Sequence, residues 1–226
     1  MKLPRETPVM TLPNATLFPQ ALLPLYIFEP RYRQMLADAL HSNRMIAVAM
    51  QKPGSTRETP SPVAGLGLIR VSVRHKDDTS HLILQGIARV KLEQAVRYKP
   101  YRVQRIYPIE TPPCDNVAVD ALLAKVRELL GECIRLGLPL PPFTKISSDP
   151  ENGETAPSFS PKEILGYLDS LDSPEQTADL VSCAVLPGGI ERQAILETID
   201  VESRLRRLIQ FLLAEIHKKR KGAAYE

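Results

Sequence analysis

The sequence predicts an α+β fold, with a β-rich first half that holds one helix and a helical second half. Two periodicities carry this reading. Apolar residues recur at alternate positions through much of residues 1–110, and at every third or fourth position over 117–221. A proline-rich break at Pro108, Pro112 and Pro113 separates the two patterns. The expected division is therefore a β domain over residues 1–112 and a helical bundle over 113–226.

Short extended runs are expected at Val9–Leu12 and Leu22–Phe28, where Pro24 suits an edge strand or a strand start. The wholly apolar run Met45–Met50 reads as a buried strand. Leu66–Val73, Leu82–Leu84, Ile87–Val96 and Tyr101–Ile109 continue the β pattern, and the polar break Lys76-Asp77-Asp78-Thr79 reads as a hairpin turn. The one helix in this half spans Pro30–His41. Pro30 fits a first helical position, and Tyr32, Met35, Leu36, Ala39 and Leu40 form one stripe. Residues 52–62 are polar and proline-rich, the composition of an exposed, mobile loop. The first half thus reads as a small twisted sheet or open barrel.

In the second half, Val119, Leu122, Leu123, Val126, Leu129, Leu130, Cys133 and Ile134 form one helical stripe that Gly137 and Pro139 end. Residues 138–161 carry six prolines, Pro139, Pro141, Pro142, Pro150, Pro157 and Pro161, and read as a loop. Capping boxes begin at Ser160 and Ser173, each followed by proline; the first leads into Ile164, Leu165, Leu168 and Leu171. The second opens a helix that Pro187-Gly188-Gly189 stops. A short helix over Glu191–Thr198 follows, then a last one capped by Asp200. Four or five helices are expected.

The chain has 226 residues, enough for a sizeable core without staples, and a net charge of +3 that by itself predicts neither nucleic-acid nor membrane binding. Cys114, Cys133 and Cys183 have no zinc spacing and read as free thiols in a reducing compartment. No apolar leader and no run near the ~20 residues of a spanning helix is present, so a cytoplasmic location is expected. Gly65-Leu66-Gly67 lies within a strand pattern and lacks the third glycine of a phosphate loop; it reads as a bulge or a close backbone approach. There is no G-x-S-x-G, and His41, His75, His81 and His217 have no metal-ligand spacing. His75 and His81 flank the hairpin and can face each other beside Asp77 and Asp78, an arrangement compatible with a weak metal site but read most simply as a solvated turn. The basic run Lys218–Lys221 suits the negative end of the last helix.

The most distinctive segment is residues 12–35, with the pattern LFP–x4–PLxIFExRYxxM from Leu17 to Met35. It resembles the opening of the N-terminal substrate-binding domain of the ATP-dependent protease Lon. Further motifs of that family follow in order: Gly65–Ile69, Leu82–Val90 with Gly86 and Arg89, Tyr98-Lys99-Pro100-Tyr101, Ala178–Cys183, and Leu196–Leu205. Arg102 and Gln104 depart from it, standing where small residues are common.

The resemblance implies a PUA-like β-rich pseudo-barrel with one inserted helix, followed by a helical bundle. Because the sequence stops at Glu226, just after the final helix, it also implies a stand-alone, non-catalytic protein without the ATPase and serine–lysine peptidase modules, and with no cofactor or metal. The expected partners are polypeptide substrates or a protease or chaperone; a homodimer is compatible, and no membrane is involved. Candidate peptide-binding residues are Phe18, Tyr26, Glu29, Arg31, Tyr32 and Arg33, of which Glu29 and Arg33 lie one helical turn apart. The alternative is a PUA-like RNA-binding protein using Arg97, Tyr98, Lys99, Tyr101, Arg102, Arg105 and Tyr107, but the mild net charge makes nucleic acid the weaker expectation.

Overall fold

The computed structural model describes residues 2–55, 57–113, 117–138, 163, 166–168, 170–171 and 173–222. Six strands, β1 (Glu6–Leu12), β2 (Leu22–Ile27), β3 (Met45–Met50), β4 (Val63–Arg74), β5 (Ser80–Arg97) and β6 (Val103–Pro108), form one sheet, with helix α1 (Pro30–Leu40) between β2 and β3. Their order is β2-β5-β4-β3-β1-β6, and β6 pairs again with β5. The ring β5-β4-β3-β1-β6 is thus closed. The 18-residue β5 closes it by serving two neighbours: Ser80–Gln85 pair with β2, and Val90–Arg97 pair with β6. Closure leaves β2 and the Val71–Arg74 end of β4 at open edges among the described residues. All pairs are antiparallel except β1–β3, whose parallel alignment needs the crossover that β2 and α1 provide.

The sheet has a core on each face. β3 shows why Met45–Met50 is apolar at every position. Ile46 and Val48 join Met10, Met35, Leu36 and Leu84 beneath α1, while Met45, Ala47 and Ala49 join Val9, Leu66 and Ile106 on the other face. A strand covered on both faces cannot alternate with polar residues.

Leu82–Leu84 and Ile87–Val96 are halves of one strand, β5, with Gly86 at the junction. The segment before β2 lies flat on the sheet there. A Cβ at Gly86 would sit 1.9 Å from the Phe18 carbonyl oxygen, and one at Gly65 1.9 Å from that of Leu17. The crossing is fixed by Gln20 N–H donating to Gly86 O and Gly86 N–H donating to Ala21 O, both at 2.9 Å. The close backbone approach expected at Gly65-Leu66-Gly67 is this crossing.

The chain divides into two compact units: Met1–Pro112 with Pro187–Ile199, and Pro113–Leu186 with Asp200–Glu226. Helices α2 (Val117–Arg135), α3 (Pro174–Val185), α4 (Gly189–Leu196) and α5 (Val201–Gly222) are described after the β region. Within the first unit, α4 is held by side chain-to-backbone bonds. Gln193 Nε2 donates to Val63 O at 2.9 Å, Arg192 to Asn14 O at 3.2 Å, and the buried Arg89 to Leu196 O at 3.2 Å. The Arg89 guanidinium meets the negative end of α4, as the helix dipole favours.

Within the second unit, Val119, Leu123, Val126, Leu129, Leu130 and Cys133 are the buried face of α2. Gly137, at φ 63°, ends that helix in a Schellman turn: Leu138 N–H donates to Cys133 O and Gly137 N–H to Ile134 O, both at 3.0 Å. Ser173 caps α3 by accepting from Gln176 N–H, with Pro174 at the first turn. Asp200 caps α5, accepting from Ser203 N–H at 2.7 Å. The fully buried Arg204 pairs with Asp179 at 3.2 Å and Glu175 at 3.4 Å, which joins the two motifs around 178–183 and 196–205 in this chain. Cys114, most of the loop over 138–161, the Ser160 capping box before Glu163, and Ile164 and Leu165 lie outside the described residues.

Candidate functional site

The free end of the sheet, β2-β5-β4, has two faces of opposite character. Side chains alternate along each strand, so the pairing decides which face each residue joins. Leu23, Leu25, Ile27, Leu82, Leu84 and Ile69 point to the core under α1. The intervening residues point outward and form cross-strand rows: Tyr26 opposite His81 opposite Val73, and Pro24 opposite Ile83 opposite Val71. Tyr26 is 50% exposed, Val73 51% and Phe28, just beyond β2, 59%. A sheet face turned to water is ordinarily polar, and a contiguous apolar one marks an interaction surface.

The rings on this face are in mutual contact. Tyr26 and Phe28 stack at 6.0 Å between centroids, Tyr26 lies 5.2 Å from the His81 ring, and His81 meets His75 edge-on at 4.8 Å. His75 Nε2 and His81 Nδ1 are 3.1 Å apart, so the two histidines do face each other across the turn. That turn closes through Asp78 at φ 64° and His75 N–H donating to Thr79 O at 2.8 Å. Asp77 accepts from the Thr79 hydroxyl and amide, which holds its carboxyl below the usual carboxylate range. Tyr26, His75, Lys76, Asp77, Thr79 and His81 line an open hollow of about 530 Å³.

The backbone edge of β2 is less inviting than its side-chain face. Proline has no N–H and is tolerated in a ladder only where that position faces away from the neighbour. Pro24 lies opposite Ile83 in an unbroken register, so Pro24, Leu22 and Tyr26 turn their backbone groups to the open edge. An added strand would find the middle donor missing.

The six residues singled out from sequence separate into three settings. Phe18 is 0% exposed and Tyr32 is buried, with its hydroxyl donating to Thr11 O at 3.2 Å; both serve packing. Tyr26 stands on the exposed face. Glu29, Arg31 and Arg33 are half-buried at the start of α1. Arg31 Nε donates to Glu29 at 2.8 Å, and its fork engages both carboxylate oxygens of Glu58, at 2.7 Å for Nη2, while it lies 4.4 Å over the Tyr32 ring. Glu29 therefore pairs with Arg31 rather than Arg33. The Arg31 hydrogen bonds hold the Glu58 carboxyl below its usual range and raise the Arg31 guanidinium in turn. The pair is half-exposed, so its contribution is roughly 0.2–1 kcal/mol. It ties the loop at Glu58 to α1, and Arg102 adds a bond to Glu58 O at 3.1 Å.

The basic and aromatic residues near β6 are largely committed to neighbours. Arg97 stacks on the buried Tyr101 at 4.7 Å, whose hydroxyl donates to Asp38 at 2.6 Å. Arg102 covers Tyr98 at 5.0 Å, and Arg105 pairs with Glu6 at 3.6 Å. Among the described residues, no group of three or more His, Cys, Asp or Glu could hold a metal. Burial pushes the Cys133 thiol up to about 11, leaving it protonated and unreactive at neutral pH. No described helix is long and apolar enough to cross a membrane.

Phe28, Val71 and Val73 belong to the exposed face but were not among the sequence-derived candidates. The neighbouring strand β2 did carry a signal for an apolar outer face: LLPLYI is apolar at both sets of alternate positions, which a strand with one solvated face does not require.

A closed ring of five strands with one further edge strand and an inserted helix, followed in the chain by helices, is a PUA-like, β-rich α+β fold. The chain belongs to the family of the ATP-dependent protease La (LON) substrate-binding domain, whose model matches residues 6–214. It is 26% identical over 217 residues to a Lon protease of Dictyoglomus thermophilum, a match covering 95% of this chain but 25% of that protein. The chain thus spans about a quarter of the length of such relatives and matches their substrate-binding part. Two solved structures share the fold. The N-terminal domain of Mycobacterium avium complex Lon protease has TM-score 0.66 at 18% identity, covering 92% of this chain and 97% of that one. A Lon N-terminal domain protein from Xanthomonas campestris has TM-score 0.62 at 17% identity, covering 91% and 98%.

Proposed function

We propose that this protein binds extended or unfolded polypeptide, or a protein partner that presents such a segment, on the outer face of β2-β5-β4. The observation that carries this reading is the exposed, mutually contacting row Phe28, Tyr26, His81 beside Val73 and Val71. Aromatic rings supply large contact area at low entropic cost, and side chains of an extended peptide can settle between the rows. The half-buried charges Glu29, Arg31 and Arg33 follow directly in the chain and supply a polar rim. In this reading the binding domain is residues 1–112, and the helical subdomain lies within 113–226, apart from the Pro187–Ile199 segment that joins the β unit, both acting in the cytoplasm without catalysis of their own. Membership of a substrate-binding family supports polypeptide as the ligand class. The local pairing of Arg97, Arg102 and Arg105 weighs against RNA at the rival cluster.

The test is binding of a reduced and alkylated, permanently unfolded protein, followed by fluorescence anisotropy. Tyr26→Ser with Phe28→Ser is expected to weaken binding at least about tenfold, since truncated aromatic anchors cost roughly 2 kcal/mol or more. Unchanged affinity in a variant whose circular dichroism and melting are intact would sink the assignment.

A further inference from the structure

The β4–β5 turn carries two imidazole nitrogens placed as a chelating pair, and we propose that His75 and His81 form a two-nitrogen site for a borderline divalent cation such as Zn2+, Ni2+ or Cu2+. Nitrogens at about 2.0–2.1 Å from one cation lie roughly 2.9–3.4 Å apart across square-planar to tetrahedral angles. His75 Nε2 and His81 Nδ1 are 3.1 Å apart. Both side chains are exposed, so hydrated ions reach them and the rings have room to turn toward a shared cation. The backbone beneath is fixed by the His75–Thr79 hydrogen bond and the left-handed Asp78, which holds the two side chains together before any ion arrives.

In the ring-to-ring hydrogen bond one nitrogen carries the proton and the other accepts it. Chelation needs both lone pairs. The donor ring therefore moves its proton to its other nitrogen, a change of tautomer with no net proton released. Asp77 borders the same hollow and favours a cation, while Lys76 opposes it. With no third ligand converging among the described residues, water completes the coordination. The site does not depend on polypeptide binding, although His81 belongs to both surfaces.

Isothermal titration of the untagged full chain with Zn2+, alongside imidazole 15N spectra, tests this. Loss of even an outer partner of a metal ligand costs 10–100-fold in affinity, so His75→Ala and His81→Ala should each lower Zn2+ affinity at least about tenfold. His41→Ala and His217→Ala, which alter the other two histidines, should leave it unchanged. His81→Phe keeps a ring against Tyr26 and should lose the metal while keeping the fold. The proposal fails if the wild-type chain shows no saturable Zn2+ binding, if His75 and His81 resonances do not shift, or if their variants bind as the wild type does.

Discussion

Two apolar pairs in one short stretch of chain meet opposite fates. Leu17 and Phe18 lie flat across β4 and β5 and are completely enclosed, whereas Tyr26 and Phe28, ten residues on, stand half or more exposed. The difference comes from what they cross. Leu17 and Phe18 pass over Gly65, Gly67 and Gly86, where missing side chains let backbone rest on backbone. Tyr26 sits in the edge strand, where alternation leaves half of the positions with nothing to pack against. One family motif therefore contains both a packing device and an open surface, and hydrophobicity alone does not separate them.

The contrast is broken most directly by truncating one ring from each pair. Phe18→Ala should cost about 3–5 kcal/mol, read as a lower melting temperature and denaturant midpoint. Phe28→Ala should stay within about 0.5 kcal/mol of wild type. Equal losses would mean that the outer face is structural.

A comparison of glycines sharpens the same point with a smaller effect. Gly86→Ala forces a methyl onto the Phe18 carbonyl and should cost at least about 3 kcal/mol, the upper end for overpacking. Gly131→Ala in α2 meets nothing within 4 Å and should stabilise by about 0.5–1 kcal/mol, because alanine is the better helix former. Urea melts of the two variants should move in opposite directions.

The smallest effect concerns an exposed group that nonetheless matters to stability. Asp200 satisfies the first turn of α5, and Asp200→Ala should cost about 1 kcal/mol. Bonds from Ser203 lower the folded-state pKa of this carboxyl below its unfolded value. Its contribution is therefore present above the unfolded value, near 3.9, and is lost as pH falls through the lower folded one. Wild type and variant melts should converge in that acid range; a constant gap down to pH 2 or so would remove the cap from the account.

Much of this was legible in the sequence, because it is written locally. The all-apolar Met45–Met50, the turn at Lys76–Thr79, Pro30 at the start of α1, and the Ser173 and Asp200 caps each need only a few neighbours to be read. The continuity of β5 was not, because Gly86 looks like a break until Phe18 is placed above it. Nor was the attachment of Pro187–Ile199 to the β unit, which depends on Arg89 and Gln193 reaching backbone carbonyls more than a hundred residues away. For the site, Tyr26 was visible by motif, but parity within β2 was not. An edge strand apolar on both sides gives periodicity nothing to choose between.

The double duty of β5 has a mechanical consequence. Since the ring shuts through the later half of that strand, losing β2 from the earlier half would unzip one flap and leave the hoop intact. The apolar outer face is mounted on that flap, so it can shift while the closed ring keeps its form.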